Sequence, residues 1–356
     1  MDVEELRREI DEIDADLVDL LNRRARVVLQ IGELKQQNDD EIYSPAREEK
    51  IYEHVLSQSE GPLPPECIKA IYRELMSGCI ALQKPVTISY LGPEGTFTHE
   101  AALSKFGDSV EYTSADTLED VFKAVEQEKA NYGVVPVENS TEGGIHEALT
   151  RFLTSPLKVN AEIVREIHHA LLSQSPLDAI HTVYSKGPVF TQCSQWLSDN
   201  LPDVRESETS STSAAAEKAA CEEGAAAIAR KELATPHGLK VVEDHIEDYA
   251  HNVTRFFVLS PRIGSRSGDD KTALLCSVRD KVGALHELLR PFKEHAINMT
   301  KIESFPSPTT PWQYLFFIDF LGHPDEDHIQ EALSEMRKEC VEFRILGAFP
   351  RSEEMS

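Results

Sequence analysis

The sequence has no apolar run of bilayer-spanning length. Its best apolar runs, such as Leu315 to Ile318, are strand-sized, so no transmembrane helix is expected. The acidic start, Met1-Asp-Val-Glu-Glu, lacks the apolar centre of a secretory signal. Cysteine is sparse and unpaired in sequence. Cys67, Cys79, Cys193, Cys221, Cys276 and Cys340 form no C-x-x-C pair, so reduced thiols in a cytoplasmic protein are expected rather than a disulfide framework. Positive charge is scarce too, with 36 Lys and Arg against 62 Asp and Glu and a net charge of -26. That balance argues against a nucleic-acid backbone or an anionic membrane as partner. A chain this acidic that handles a small anion must gather its few cations locally. Nucleotide motifs are missing as well: the glycine turn Leu91-Gly-Pro-Glu-Gly-Thr-Phe97 has neither G-x-G-x-x-G nor G-K-[ST]. His99-Glu100, His146-Glu147 and His286-Glu287 lack the second histidine of a zinc helix, and of His168-His169, in a strand-like run, one ring should face the core. Neither a cofactor nor a metal is expected.

What is present falls into three blocks. Residues 1–85 read as helical throughout. Leu6, Ile10, Ile13, Leu17, Leu20, Val27, Ile31 and Leu34 repeat at steps of mostly three and four, the stripe of one long amphipathic helix closed by a turn at Asn38-Asp-Asp. Ser44-Pro45 has the form of an N-cap followed by proline at the first helical position. Gly61-Pro-Leu-Pro-Pro breaks the chain before a third helix from Glu66 to Gln83. Residues 86–262 alternate strands and helices, an α/β domain with buried sheets. A Gly/Ser/charged linker leads to residues 271–350, whose order of strand, helix, strand, strand, helix, strand is ferredoxin-like.

In the first block the apolar rhythm past Leu20 lands on Arg24. A cation in an apolar seam is costly unless paired or facing a ligand. Lys35 follows eleven residues on, nearly in line and about 16 Å along the axis, so the two long side chains can converge on one anion. A buried ion pair with an acid of another helix is the alternative. In the second block, polar residues cluster where strands end: Glu138-Asn139-Ser140-Thr141, Ser185 with Gln192 just beyond, Ser211-Thr-Ser at a helix cap, and Thr254-Arg255. Such edges face the ligand cleft of α/β sheets, although caps and turns need these residue types anyway.

The pattern from Leu6-Arg7 through Arg24, Gly32-x-x-Lys35 and Tyr43-x-Pro45-x-Arg47-Glu48 resembles the all-helical chorismate mutases. The resemblance implies a site of Arg7, Arg24, Lys35, Arg47, Glu48 and Gln83 on an entwined dimer, with Arg7 reaching the partner's site. Ser44 and Cys79 depart from the family pattern. The chemistry implied is a pericyclic rearrangement of chorismate to prephenate. It needs a dianion held in shape and donors, here Lys35 and Gln83, on its ether oxygen. The second block is similar to prephenate dehydratase. Thr254-Arg255-Phe256 carries the signature, with Thr254 implied as proton donor to the leaving hydroxyl and Asn139, Ser185, Gln192 and Arg255 as substrate contacts. Two lobes around a cleft are implied. Lys281-Val-Gly-Ala-Leu and Glu303-Ser-Phe-Pro resemble the ACT domain of dehydratases, implying phenylalanine as effector at Gly283, Ala284, Leu285, Glu303 and Ser304. Phe305 replaces the arginine common in that motif. Together the blocks resemble bifunctional chorismate mutase–prephenate dehydratases, with feedback by phenylalanine and a homodimer or higher homo-oligomer expected. An arogenate-preferring dehydratase and a non-catalytic amino-acid sensor are the competing readings.

Overall fold

A computed structural model describes residues 2–38, 43–141, 143–249, 251–307, 310 and 313–352. The turn expected at Asp39-Asp40 lies outside the described residues. The chain divides into two compact units, one of residues 1–87 with 106–111, the other of residues 88–105 with 112–356.

The first unit holds α1 (Val3–Asn38), α2 (Pro45–Ser57) and α3 (Pro65–Gln83). Ser44 caps α2 as expected: its side chain accepts from the Arg47 amide, with Pro45 as the first helical residue. Residues 106–111 fasten onto the helices. The Phe106 and Tyr43 rings lie 5.0 Å apart, and the Asp108 and Ser109 amides donate to Glu74 at 2.9 Å and Ser77 at 3.1 Å. At 36 residues α1 is the longest helix described, and its apolar stripe is left largely exposed by the described residues. Leu6, Ile10, Ile13, Leu17 and Leu20 are each 43–56% exposed.

The second unit contains two sheets. Its elements run β1 (Thr87–Leu91), α4 (Phe97–Phe106), β2 (Glu111–Ala115), α5 (Leu118–Glu126), β3 (Tyr132–Asn139), β4 (Gly143–Gly144), α6 (His146–Arg151) and β5 (Lys158–Glu166). The chain then crosses over into β6 (Ala170–Ser173), β7 (Thr182–Ser185), α7 (Gly187–Gln192), α8 (Ser194–Asn200), β8 (Arg205–Glu208), α9 (Thr212–Ala220), β9 (Ala225–Ala229) and β10 (Lys240–Glu243). It returns as β11 (Val253–Ser260). Strands β6 to β10 form the five-stranded sheet of one lobe, in the order β10-β6-β9-β7-β8. The other lobe is built on β5-β11-β3-β1-β2. Two crossovers, residues 167–169 and 244–252, are thus the covalent links between lobes. Arg230 of the second lobe donates to the Gly95 carbonyl of the first at 2.9 Å and pairs with Glu100, bringing the lobes together.

The last block has the expected βαββαβ order: β12 (Asp270–Val278), α10 (Ala284–Glu294), β13 (Met299–Pro306), β14 (Tyr314–Leu321), α11 (Asp327–Glu339) and β15 (Cys340–Pro350). Its sheet continues into the first lobe through a parallel contact of Gly347 with Val159. A Cβ at Gly347 would stand 1.9 Å from the Val159 carbonyl oxygen, so only glycine allows this approach. One hydrophobic core spans the seam. Phe257 and Leu259 of β11 pack with Leu275, Phe305, Phe317 and Phe349.

Candidate active sites

In the helical unit, Arg24 turns toward α3, where a guanidinium N–H donates to the Cys79 sulfur at 3.2 Å. The Cβ that Gly32 lacks would fall 2.7 Å from Gln83 Cγ, so Gln83 occupies the space a larger residue would fill. Gln83 donates to the Cys79 carbonyl at 3.1 Å, and its buried side-chain oxygen has no hydrogen-bond partner among the described residues. Lys35, one turn past Gly32, is half-buried. Arg24 and Gln83 thus make α1–α3 contacts beside Cys79, with Lys35 three residues beyond Gly32. Glu48 is buried and accepts from the Tyr43 hydroxyl at 2.9 Å, whereas Arg47 is exposed. Arg7 is apart: it pairs with Glu4 at 2.7 Å and lies seventeen residues, about 25 Å of helix, from Arg24.

In the two-lobed part, β3 and β11 run antiparallel with Asn139 opposite Thr254. That register carries the site. Asn139 Nδ2 donates to Thr254 Oγ1 at 2.9 Å and to Asn252 Oδ1 at 2.8 Å. Asn139 Oδ1 in turn accepts from the Thr141 amide at 2.9 Å and from the Thr141 hydroxyl. Asn252 Nδ2 donates to Gln192 Oε1 at 3.0 Å, and His169 Nε2 stands 2.7 Å from the same oxygen. Because that oxygen only accepts, the His169 proton sits on Nε2. Burial pushes the His169 pKa below the usual imidazole range, so the ring is neutral at neutral pH. The His169 and Phe97 rings stand nearly perpendicular, their centres 5.7 Å apart. Thr254 is thus the end of a connected polar chain running across both crossovers.

The donor count at Thr254 matters. An amide N–H can only give, so Thr254 Oγ1 is the acceptor of the Asn139 bond and keeps its own proton to give away. His169 and Asn252 were missed as site residues in the sequence. Asn252 reads there as a turn residue before a strand, and His169 as one half of a His-His pair.

Two expected contacts sit elsewhere. Ser185 closes β7 but is fully buried, its hydroxyl donating to the Ile228 carbonyl at 2.8 Å. Arg255 is not aimed with Thr254, since successive strand residues point to opposite faces. It donates to Glu162 at 2.8 Å, binds Asp319, and lies over the Phe257 ring. Lys271 also reaches Glu162, at 3.0 Å. Burial opposes the charge on Glu162, but Arg255 and Lys271 overcome it and hold the carboxyl below its ordinary range. In this arrangement Arg255 fastens β11 to β5 and β14 and makes no approach to the Thr254 face.

The expected effector residues are likewise divided. Gly283, with φ +80°, caps α10 and lines a cavity of about 620 Å³ with Ala284, Leu285, Tyr314 and Phe316. Glu303 faces the other side of the sheet, accepting from the Gly144 amide at 3.2 Å and standing 3.0 Å from His146 Nε2. Phe305, on that same face, is buried and stacks on the His146 ring at 5.2 Å. Packing against the first lobe accounts for an aromatic where the motif commonly carries arginine. Ser304 is exposed on the helix-bearing face, paired with Phe316 but outside the cavity lining.

Comparison with known proteins agrees with this layout. Residues 6–84 match chorismate mutase type II, residues 88–263 prephenate dehydratase, and residues 272–337 the ACT domain. A bifunctional chorismate mutase/prephenate dehydratase of Aquifex aeolicus is 42% identical over 99% of this chain and 98% of its own length. One from Pseudomonas aeruginosa is 39% identical over 98% and 97%. Among solved structures, a prephenate dehydratase from Arthrobacter aurescens, in complex with L-Phe, is 31% identical with a TM-score of 0.68, covering 75% of this chain and 90% of its own. With three matching segments in this order and relatives alike from end to end, the chain belongs to the bifunctional chorismate mutase/prephenate dehydratase family.

Proposed function

We propose that residues 1–85 rearrange chorismate to prephenate, that residues 86–262 convert prephenate to phenylpyruvate, and that residues 271–350 sense phenylalanine. In the mutase, Arg24 and Arg47 hold the carboxylates of the dianion, and Lys35 and Gln83 donate to the ether oxygen as its charge grows. Glu48 holds a substrate hydroxyl. The separation of Arg7 from Arg24 supports a homodimer in which Arg7 serves the partner's site, and the uncovered apolar stripe of α1 supplies the surface for it. Six free thiols fit a cytoplasmic setting.

In the dehydratase, Asn139 and Gln192 position prephenate and Ser185 supports the cleft edge. Thr254 gives its proton to the departing ring hydroxyl. As water leaves, the bond to the ring carboxylate breaks, its electrons complete the aromatic ring, and carbon dioxide is released. Thr254 is reprotonated from water. The observation that carries this reading is the Asn139–Thr254 bond, which orients the threonine oxygen and leaves its proton to give. Arg255 supports the reaction indirectly, by holding β11 in register. The same site could take arogenate, and competition between the two substrates decides that preference. The cavity at Gly283, Ala284 and Leu285 fits a phenylalanine, with exposed Ser304 able to join it only across a dimer, while Glu303 ties the regulatory block to the first lobe. Purified protein given chorismate should form phenylpyruvate, more slowly when phenylalanine is added. Loss of neither chorismate nor added prephenate would sink the catalytic reading and favour a sensor.

A further inference from the structure

The two crossovers between the lobes bring together three ligand atoms that the chemistry above leaves unused. His168 lies on the first crossover, and His245 and Glu247 on the second, 77 residues away for the histidine pair. His168 Nδ1 is 2.8 Å from Glu247 Oε1 and 3.1 Å from His245 Nδ1, and the third edge, His245 Nδ1 to Glu247 Oε1, is 3.4 Å. Ligands bound at about 2.0–2.2 Å to one cation, at angles between octahedral and tetrahedral, stand about 2.8–3.6 Å apart. The triangle has that size.

Its surroundings suit three inward-facing ligand atoms. His168 Nε2 faces the Glu166 carboxylate at 3.3 Å, an acceptor for that ring's proton when Nδ1 serves as a metal ligand. Such a carboxylate behind a histidine is the usual outer partner of a metal ligand. The other oxygen of Glu247 accepts from the His169 amide at 2.9 Å, leaving Oε1 for the triangle. His245 holds φ at +56°, a conformation uncommon for a non-glycine residue, and its ring meets that of His168 at 65° rather than stacking. With both rings neutral and protonated on Nε2, the three atoms facing one another are acceptors and repel unless a cation lies among them. A proton serves two of them at best; a metal ion serves all three.

We propose that His168, His245 and Glu247 bind one divalent cation of the late first transition row, with Zn²⁺ the first choice. Two imidazoles and one carboxylate suit that class and disfavour Mg²⁺ and Ca²⁺, which take oxygen ligands. With His168 and His245 partly open to solvent, water completes the coordination. The bound ion ties the two crossovers together, five residues ahead of Asn252, which bridges Gln192 and Asn139. The absence of any H-E-x-x-H pattern hid the site in the sequence, because its ligands come from two distant segments.

The test uses full-length, untagged, reduced protein with Zn²⁺ or Co²⁺ alone. Equilibrium dialysis should give one ion per chain, and His245→Ala and Glu247→Gln should each weaken binding at least tenfold. Added Zn²⁺ should raise the melting temperature of the wild type and not that of His245→Ala. Bound Co²⁺ should show the absorption of nitrogen and oxygen ligands without a thiolate charge-transfer band. No binding at micromolar metal, which would leave a shared proton in the triangle, overturns the proposal. So does binding that survives both substitutions or carries a thiolate band. Because the wild-type measurement needs no variant, a misfolded substitution cannot shelter it.

Discussion

Thr254 shows how much depends on one hydroxyl. Its hydroxyl accepts from Asn139 and keeps a proton to give, so replacement by valine keeps the shape and removes that hydroxyl. Thr254→Val should lower dehydratase kcat by about 10² or more, the magnitude of general-acid catalysis. Thr254→Ser should stay partly active, and prephenate should accumulate from chorismate in the valine variant. Near-normal turnover by Thr254→Val would reduce the residue to a strand-end filler. Gln83 makes the matching case in the helical unit. An amide donates at every pH, so the mutase rate should be nearly flat from mildly acidic to mildly basic conditions. Gln83→Glu must be protonated to donate, and its optimum should move to acid. A wild-type rate falling steeply between about pH 5 and 7 would contradict the assignment, since that is the range between ordinary carboxylate and imidazole pKa values.

Whole helices and strands were readable where periodicity is long. The stripe from Leu6 to Leu34 announced α1, and Ser44-Pro45 announced the start of α2, because caps and amphipathic faces are local properties of sequence. Strand β11 is an apolar run, and its pleat separates its first polar residues. Thr254 and Arg255 are neighbours in sequence and so face opposite sides of the sheet, which sends Arg255 into an ion cluster. Which residues await it there, Glu162 and Asp319, depends on strand pairings 93 and 64 residues away, and no local pattern encodes these. The same holds for Phe305, an odd residue in its motif until His146 is seen stacked on it. The exposed stripe of α1 has a direct test. Leu17→Glu places a charge in a face proposed to meet a second copy, and sedimentation should show the oligomer dissociating, with mutase activity lost. An unchanged oligomer and mutase rate would mean that the stripe is not the interface.

Across the molecule, the regulatory block and the first lobe share a sheet, a core and the Arg255–Glu162–Lys271–Asp319 cluster. Breaking a buried pair by removing one partner costs about 3–5 kcal/mol. Glu162→Gln should therefore destabilise this unit by about that much at neutral pH. The pH dependence follows from the lowered pKa of Glu162. Its folded value lies below the unfolded value of 4.5, so its contribution is complete above about pH 4.5 and is lost as pH falls through the folded value. The stability gap between wild type and Glu162→Gln should hold steady at neutral pH and shrink below about pH 4.5. A gap independent of pH would mean that the carboxylate's charge contributes nothing. The most direct test of the account is whether one chain carries two separable catalytic sites. It is read by assaying folded Arg24→Ala separately on chorismate and on prephenate. Removing one preorganised donor should cost about 10²–10³ in mutase kcat, while phenylpyruvate still forms from added prephenate at the wild-type rate. Equal loss of both activities in a folded protein would contradict it.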